Sequence, residues 1–238
     1  MIPAAHRPLF HRAFAAYSRR LLAGRFHAVW TRGELSASPE PYVMAVQHVA
    51  WWDPLLLIYL SKYAWEPATY FVMMDERNLK KYPFFRYVGA FGVDLSTPEG
   101  RQESLAYAQA RATEQNARVV LFAQGLQRPM DLRPIVCRPG ARKIATDARC
   151  PIVPIALRYE FLEDEYPDVF VSHGAPRWVH TDESSHDLVG QWLTEEADSL
   201  RDDVHAGRLD RFVRRLEGRG ERDPLSEQSI GKSMFNRS

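Results

Sequence analysis

The stretch "PYVMAVQHVAWWDPLLLIYLSKY" (residues 41–63) sets the reading of the whole chain. Its first part, "PYVMAVQH" (41–48), is apolar without alternation and reads as a short buried strand ending at a histidine. Asp53-Pro54 then opens a helix through about Tyr63, because Asp is a favoured N-cap and Pro suits the first helical turn. Between the two elements sits His48, five positions before Asp53. The pair is either a general base with its orienting carboxylate or a packed histidine beside an ordinary helix cap.

The same alternation continues outward. Strands are expected at "ATYFVMM" (68–74), at "ARVVLFAQG" (117–125) stopped by Gly125, at "CPIVPIALRY" (150–159) and at "DVFVSHGAP" (168–176). Helices are expected at 99–116 and at "GARKIATDAR", while "YPFFRYVGAFGVDLS" (82–96) reads as a short helix, a turn and a strand edge. A loop rich in Pro and Arg runs to about Pro139. This order predicts an α/β fold, a central largely parallel or mixed sheet flanked by helices. Residues 187–217 read as a charged surface helical appendage, and 218–238 as a polar, disordered tail. The division expected is a segment 1–34, a main domain 35–217 and that tail.

Composition narrows the class. Apolar residues at 45% and charged residues at 26% belong to a folded domain, not a disordered chain. Cys137 and Cys150 are too few and too far apart for a disulfide framework or a CxxC site, and read as reduced thiols of a cytoplasmic protein. No run approaches the ~18 apolar residues that cross a bilayer. The net charge of +1 is uneven: residues 1–33 carry six arginines and no carboxylate, leaving −5 for the rest.

Within that segment "LFHRAFAAYSRRLL" (9–22) places Phe10, Ala13, Phe14, Tyr17 and Leu21 at helical spacing, with His11, Arg12, Ser18 and Arg19 on another face. Such a cationic amphipathic helix suits the surface of an anionic membrane. The alternative is a helix docked on the protein's own core with solvated arginines.

Active groups of α/β proteins gather after the carboxyl ends of strands. Three such ends here are polar: Gln47-His48, Gly92-Val93-Asp94, and Gln124-Gly125 with Arg128 beyond. Taken together and in order, they resemble the first three of the four motif blocks of the glycerolipid acyltransferases typified by 1-acylglycerol-3-phosphate acyltransferase. His48-Val-Ala-Trp-Trp-Asp53 is similar to that family's H-x4-D block, "VGAFGVD" to its G-x-x-F-I-D-R block, and "LFAQG" to its F-P-E-G block. "IVCRPGARKIATDARCPIVPIAL" (135–157) and "VSHGAP" (171–176) resemble the segments that follow, so the likeness covers roughly residues 41–180.

The resemblance implies a glycerol-3-phosphate acyltransferase-like fold and O-acyl transfer from acyl-CoA or acyl carrier protein to a lipid hydroxyl. It casts His48 as general base and Asp53 as its orienter, with Gln47, Trp51, Trp52, Gly92, Asp94, Gln124, Gly125 and Arg128 around the acceptor. The chemistry is consistent: histidine titrates where a neutral-pH base must, and a carboxylate can fix its tautomer. Backbone N–H groups around Gly125 are the expected oxyanion donors. No G-x-S-x-G elbow is present, and none is needed.

Several positions depart from the family pattern. Ala50 stands where the family often has Ser, Leu95 where it has Arg, and Phe122-Ala-Gln-Gly-Leu-Gln127 where it has F-P-E-G-T-R. The missing arginines are the ones that family uses on phosphate. Either Arg128, Arg133, Arg138 or Arg101 takes over that contact, or the acceptor is a glycolipid, terpenoid or other lipid hydroxyl without phosphate. A lipid-binding module without turnover is a third reading.

Other polar residues get structural readings. His173 is expected to be packed, and His180, His186 and His205 lack metal-ligand spacing, so no metal site is expected. The run Glu160 to Asp168 reads as a solvated loop. No cofactor beyond the acyl donor and no nucleic-acid partner is expected. The protein should associate peripherally with the inner face of a membrane.

Overall fold

The run read as a buried strand, Tyr42–Val46, is buried at every position. The computed structural model describes residues 1–33, 40–179 and 187–220. In chain order the elements are α1 (Pro8–Ala23), β1 (Ala28–Arg32), β2 (Tyr42–Val46), α2 (Asp53–Tyr63), β3 (Thr69–Asp75) and α3 (Glu76–Lys81). A 3-10 helix (Pro83–Val88), β4 (Ala90–Val93), α4 (Pro98–Arg111), β5 (Ala117–Phe122) and α5 (Gly140–Ala148) follow. The last are β6 (Ile152–Glu160), β7 (Asp168–His173), α6 (Leu188–His205), a 3-10 turn (Leu209–Arg211) and β8 (Val213–Glu217).

The strands form one eight-stranded sheet in the order β4-β3-β5-β2-β6-β7-β1-β8. Strands β4, β3, β5, β2 and β6 pair in parallel, whereas β6–β7 and β1–β8 are antiparallel. The carboxyl ends of the five parallel strands therefore open at one edge. Alternation along β2 divides the core. Met44 and Val46 pack with Leu56 and Leu60 of α2 and Leu22 of α1. Val43 and Ala45 pack on the other face with Ala108 of α4, Ile144 of α5 and Leu193 of α6. Helices on both faces explain why the parallel strands read as continuous apolar runs.

Three expectations change. Strands β1 and β8 carry no periodic signal, because β1 is five residues long and β8 is a charged, largely exposed edge strand. The segment 1–34, read as a separate helical one, also supplies β1 to the sheet. Finally, α6 is not a surface appendage: Val189, Leu193, Ala197, Leu200 and Val204 are buried against the sheet. Some of its charge points inward as well. Asp203, 2% exposed, takes an ion pair from Arg32 of β1 and others from Arg208 at 2.6 Å and Arg211 at 2.8 Å.

Helix α1 docks on α2 and the 3-10 helix through Ala15, with Ser18 and Leu22 also buried. Ser18 and His11, read as part of the polar face, turn inward, and His11 Nε2 meets Ser61 Oγ at 3.1 Å. The stripe of Phe10, Phe14 and Tyr17 is left at the rim: Phe14 packs against Phe84 and Phe85 of the 3-10 helix and Phe10 edge-on against Tyr87, while among the described rings Tyr17 meets only Phe14. Among the described residues no helix is long and apolar enough to cross a membrane.

His173 is packed: Trp65 Nε1 donates to its Nε2 at 2.9 Å, and burial pushes its pKa down to about 4. His180, His186 and residues 221–238 lie outside the described residues.

Candidate active site

The end of β2 delivers Gln47 and His48 to the carboxyl edge, but only His48 faces outward. Gln47 is 1% exposed and works as a tie behind the site. Its Nε2 donates to the Met130 carbonyl at 3.2 Å, and its Oε1 accepts from the Leu157 N–H at 3.2 Å. It braces the site rather than lining it.

His48 Nδ1 lies 2.7 Å from Asp53 Oδ2, and its ring stacks on Phe122 at 4.3 Å. Its Nε2 has no hydrogen-bond partner among the described residues, and the side chain is 21% exposed. The backbone of His48 is held from the loop after β5: Gln124 Oε1 accepts its N–H, and its carbonyl accepts the Arg128 N–H, both at 2.9 Å.

The cap expected of Asp53 is not what the residue does. Trp52 is the N-cap of α2, and Asp53 turns back on the preceding loop. Its Oδ2 accepts the N–H groups of Val49 at 2.7 Å and Ala50 at 2.9 Å as well as His48 Nδ1. Its Oδ1 accepts the Tyr159 hydroxyl at 2.7 Å, and the residue is 0% exposed. A buried carboxylate with several donors keeps its charge without water.

The other expected residues divide. Trp51 stands out of the loop into solvent, whereas Trp52 packs edge-on against Phe26. Gly92 and Asp94 share the edge but lie on β4 and just after it, three strands from β2 and thus about 14 Å away. Gly92 exchanges backbone hydrogen bonds with Ile2, and Asp94 Oδ1 accepts the Ser96 N–H at 2.9 Å. Neither touches the dyad.

Gly125 adopts φ +71°, and a Cβ there would lie 2.3 Å from Arg138 Nε. The glycine is required both by its left-handed backbone and by the guanidinium lying on it. Its own N–H donates to the Phe122 carbonyl at 2.9 Å, which removes it as an oxyanion donor. The N–H groups of Leu126 and Gln127 make no hydrogen bond among the described residues.

Of the arginines considered, Arg133 is committed to Asp198 at 2.8 Å and Arg101 to the Leu95 carbonyl at 3.0 Å. Arg138 lies on Gly125 and Arg128 donates its backbone N–H to the His48 carbonyl, and neither side chain has a carboxylate partner among the described residues. Tyr159 escaped the sequence reading, as did the stacking of Phe122, known there only as a motif position, on His48. Their signal was position alone, at the carboxyl ends of the two strands that flank β2.

The only metal-like grouping among the described residues, His27 with Asp164 and Asp168, shares no residue with the dyad. It is already tied by hydrogen bonds to Trp30 and Arg214.

With this geometry in view, the acyltransferase family model matches residues 29–158, more than half of the chain. The chain belongs to the acyltransferase family. The acyltransferase match contains His48, Asp53, Gly125 and Arg138, and it agrees with the likeness carried by the motif blocks. A solved structure, the 1-acyl-sn-glycerophosphate (LPA) acyltransferase PlsC from Thermotoga maritima, matches with a TM-score of 0.56 at 14% identity. The match covers 81% of this acyltransferase and 79% of that chain, and it establishes the fold. Among curated proteins none matches.

Gly125→Ala should lower stability by about 1–3 kcal/mol and displace Arg138, read as a drop in thermal midpoint. An unchanged midpoint would contradict the constraint placed on this turn.

Proposed function

We propose that this acyltransferase moves a fatty acyl group from acyl-CoA or acyl carrier protein to the hydroxyl of a lysophospholipid or related glycerolipid. The observation that carries the reading is the 2.7 Å contact between His48 Nδ1 and the buried Asp53, which leaves Nε2 open at the carboxyl edge.

In this reading Nε2 takes the acceptor's hydroxyl proton as the oxygen attacks the thioester carbonyl carbon. The carbonyl electron pair moves onto oxygen and returns as the C–S bond breaks. The departing thiolate then takes the proton from the imidazolium, leaving an ester and a free thiol. Asp53 holds the tautomer and offsets the positive ring, and proton removal by a base so placed contributes about 10²–10⁴ in rate. Leu126 and Gln127 N–H groups are the available oxyanion donors.

A cysteine nucleophile is disfavoured: burial pushes the Cys137 thiol up to about 12 and the Cys150 thiol to about 11. Arg128 and Arg138 suit a phosphate, either the acceptor's or the donor's. The absence of arginine at Leu95 and Gln127 favours a second reading, acylation of a lipid hydroxyl that bears no phosphate.

The acceptor's insolubility calls for a membrane surface, and the exposed side chains support one. Leu9, Tyr17, Trp51 and Phe161 project into solvent, the first pair on α1 beside Arg12 and Arg20, the second pair at the catalytic edge. Aromatic and aliphatic tips among cations are the composition of interfacial anchors on an anionic inner leaflet.

Thiol release from acyl-CoA or acyl carrier protein, with a panel of lysolipids and lipid alcohols, tests turnover. His48→Ala should cut the rate by at least about 10²-fold with the fold intact. Full activity in that variant contradicts the assignment of the base. Leu9→Ser with Tyr17→Ser should weaken sedimentation with anionic vesicles by about tenfold. Binding equal to that of the unaltered protein would rule out α1 as the anchor.

A further inference from the structure

Tyr159 stands near the end of β6, beside β2 in the sheet and one residue past the segment matched by the family. Three donors to Asp53 converge on Oδ2: His48 Nδ1, Val49 N–H and Ala50 N–H. The other oxygen, Oδ1, receives a single donor among the described residues, the Tyr159 hydroxyl at 2.7 Å. Asp53 is 0% exposed, so water does not share the task.

The direction of this bond follows from acid strength. Burial, followed by the Asp53 charge, holds the Tyr159 hydroxyl well above its ordinary range, so it keeps its proton and donates. Its ring is pinned in turn. Phe26, just after α1, packs on Tyr159 at 5.7 Å and on Trp52 at 5.3 Å.

Without the phenol, Oδ1 would be a buried acceptor with no partner. The carboxylate could then relieve itself by rotating about Cβ–Cγ, drawing Oδ2 away from Nδ1. We propose that Tyr159 is a positioning residue of the acyl-transfer site: by donating to Oδ1 it fixes the plane of Asp53, which presents His48 with Nδ1 protonated and Nε2 free. This rests on His48 as the base. Tyr159 acts through Asp53 and touches no reacting atom.

Tyr159→Phe keeps the ring and removes one oxygen. Thiol release should show kcat about tenfold lower with the acceptor KM changed less than about twofold. Nitrogen-15 spectra of His48 should place the neutral ring's proton on Nδ1 in the unaltered protein and on a mixture of both nitrogens in the variant. A hydroxyl that served only packing would shift the thermal midpoint and leave the tautomer and kcat of the folded protein alone.

Unchanged kcat and an unchanged His48 spectrum in Tyr159→Phe overturn the proposal. The unaltered protein tests it too, since a neutral His48 protonated on Nε2 contradicts it without any variant. His48→Ala, assayed alongside, separates the two claims. Turnover surviving in His48→Ala sinks the base itself, whereas its loss with a normal Tyr159→Phe sinks only the role of Tyr159.

Discussion

The structure around the site depends on one buried charge. Asp53 is 0% exposed and collects His48 Nδ1, two backbone N–H groups and the Tyr159 hydroxyl. An unpaired carboxylate there would cost several kcal/mol, so each donor is held where the charge needs it. The donors come from the end of β2, the loop that follows it, and β6, while the carboxylate comes from the first turn of α2. One side chain thus closes the strand–loop–helix unit and orients the ring in the same act. Stability and chemistry are coupled at this point, and a change to Asp53 disturbs both.

The parallel core was legible because doubly covered strands leave long apolar runs, and β2, β5 and β6 all show them. The flanking part was not. Strand β8, "VRRLE", buries only Leu216, so nothing in its pattern separates it from the charged helix before it. Gly207, at φ +64°, ends that helix and was the available sign of a break. The burial of α6 was hidden for a related reason: Asp203 and Glu196 look like surface charges until Arg32 arrives from β1. Long-range ion pairs of this kind have no local signature.

The site was legible to the extent that it lies on one segment. His48 and Asp53 are brought together by spacing and a tight loop. The role of Asp53 was misread in one respect, as a helix cap, because a carboxylate beside Pro54 satisfies that pattern equally well. Gly92 and Asp94 looked adjacent to the dyad only in the order of motifs. The sheet inserts β5 and β3 between them and β2. Arg138 is the reverse case, thirteen positions beyond Gly125 in sequence and lying directly on it in space.

The proposed chemistry requires His48 and Asp53 to act as one unit in acyl transfer. A double-mutant cycle on thiol release, with His48→Ala, Asp53→Asn and both together, tests it most directly. The double variant should be no slower than His48→Ala alone, because an orienter has nothing left to orient. Losses that multiply, with each variant folded, would show two independent contributions and rule out a single His48–Asp53 unit.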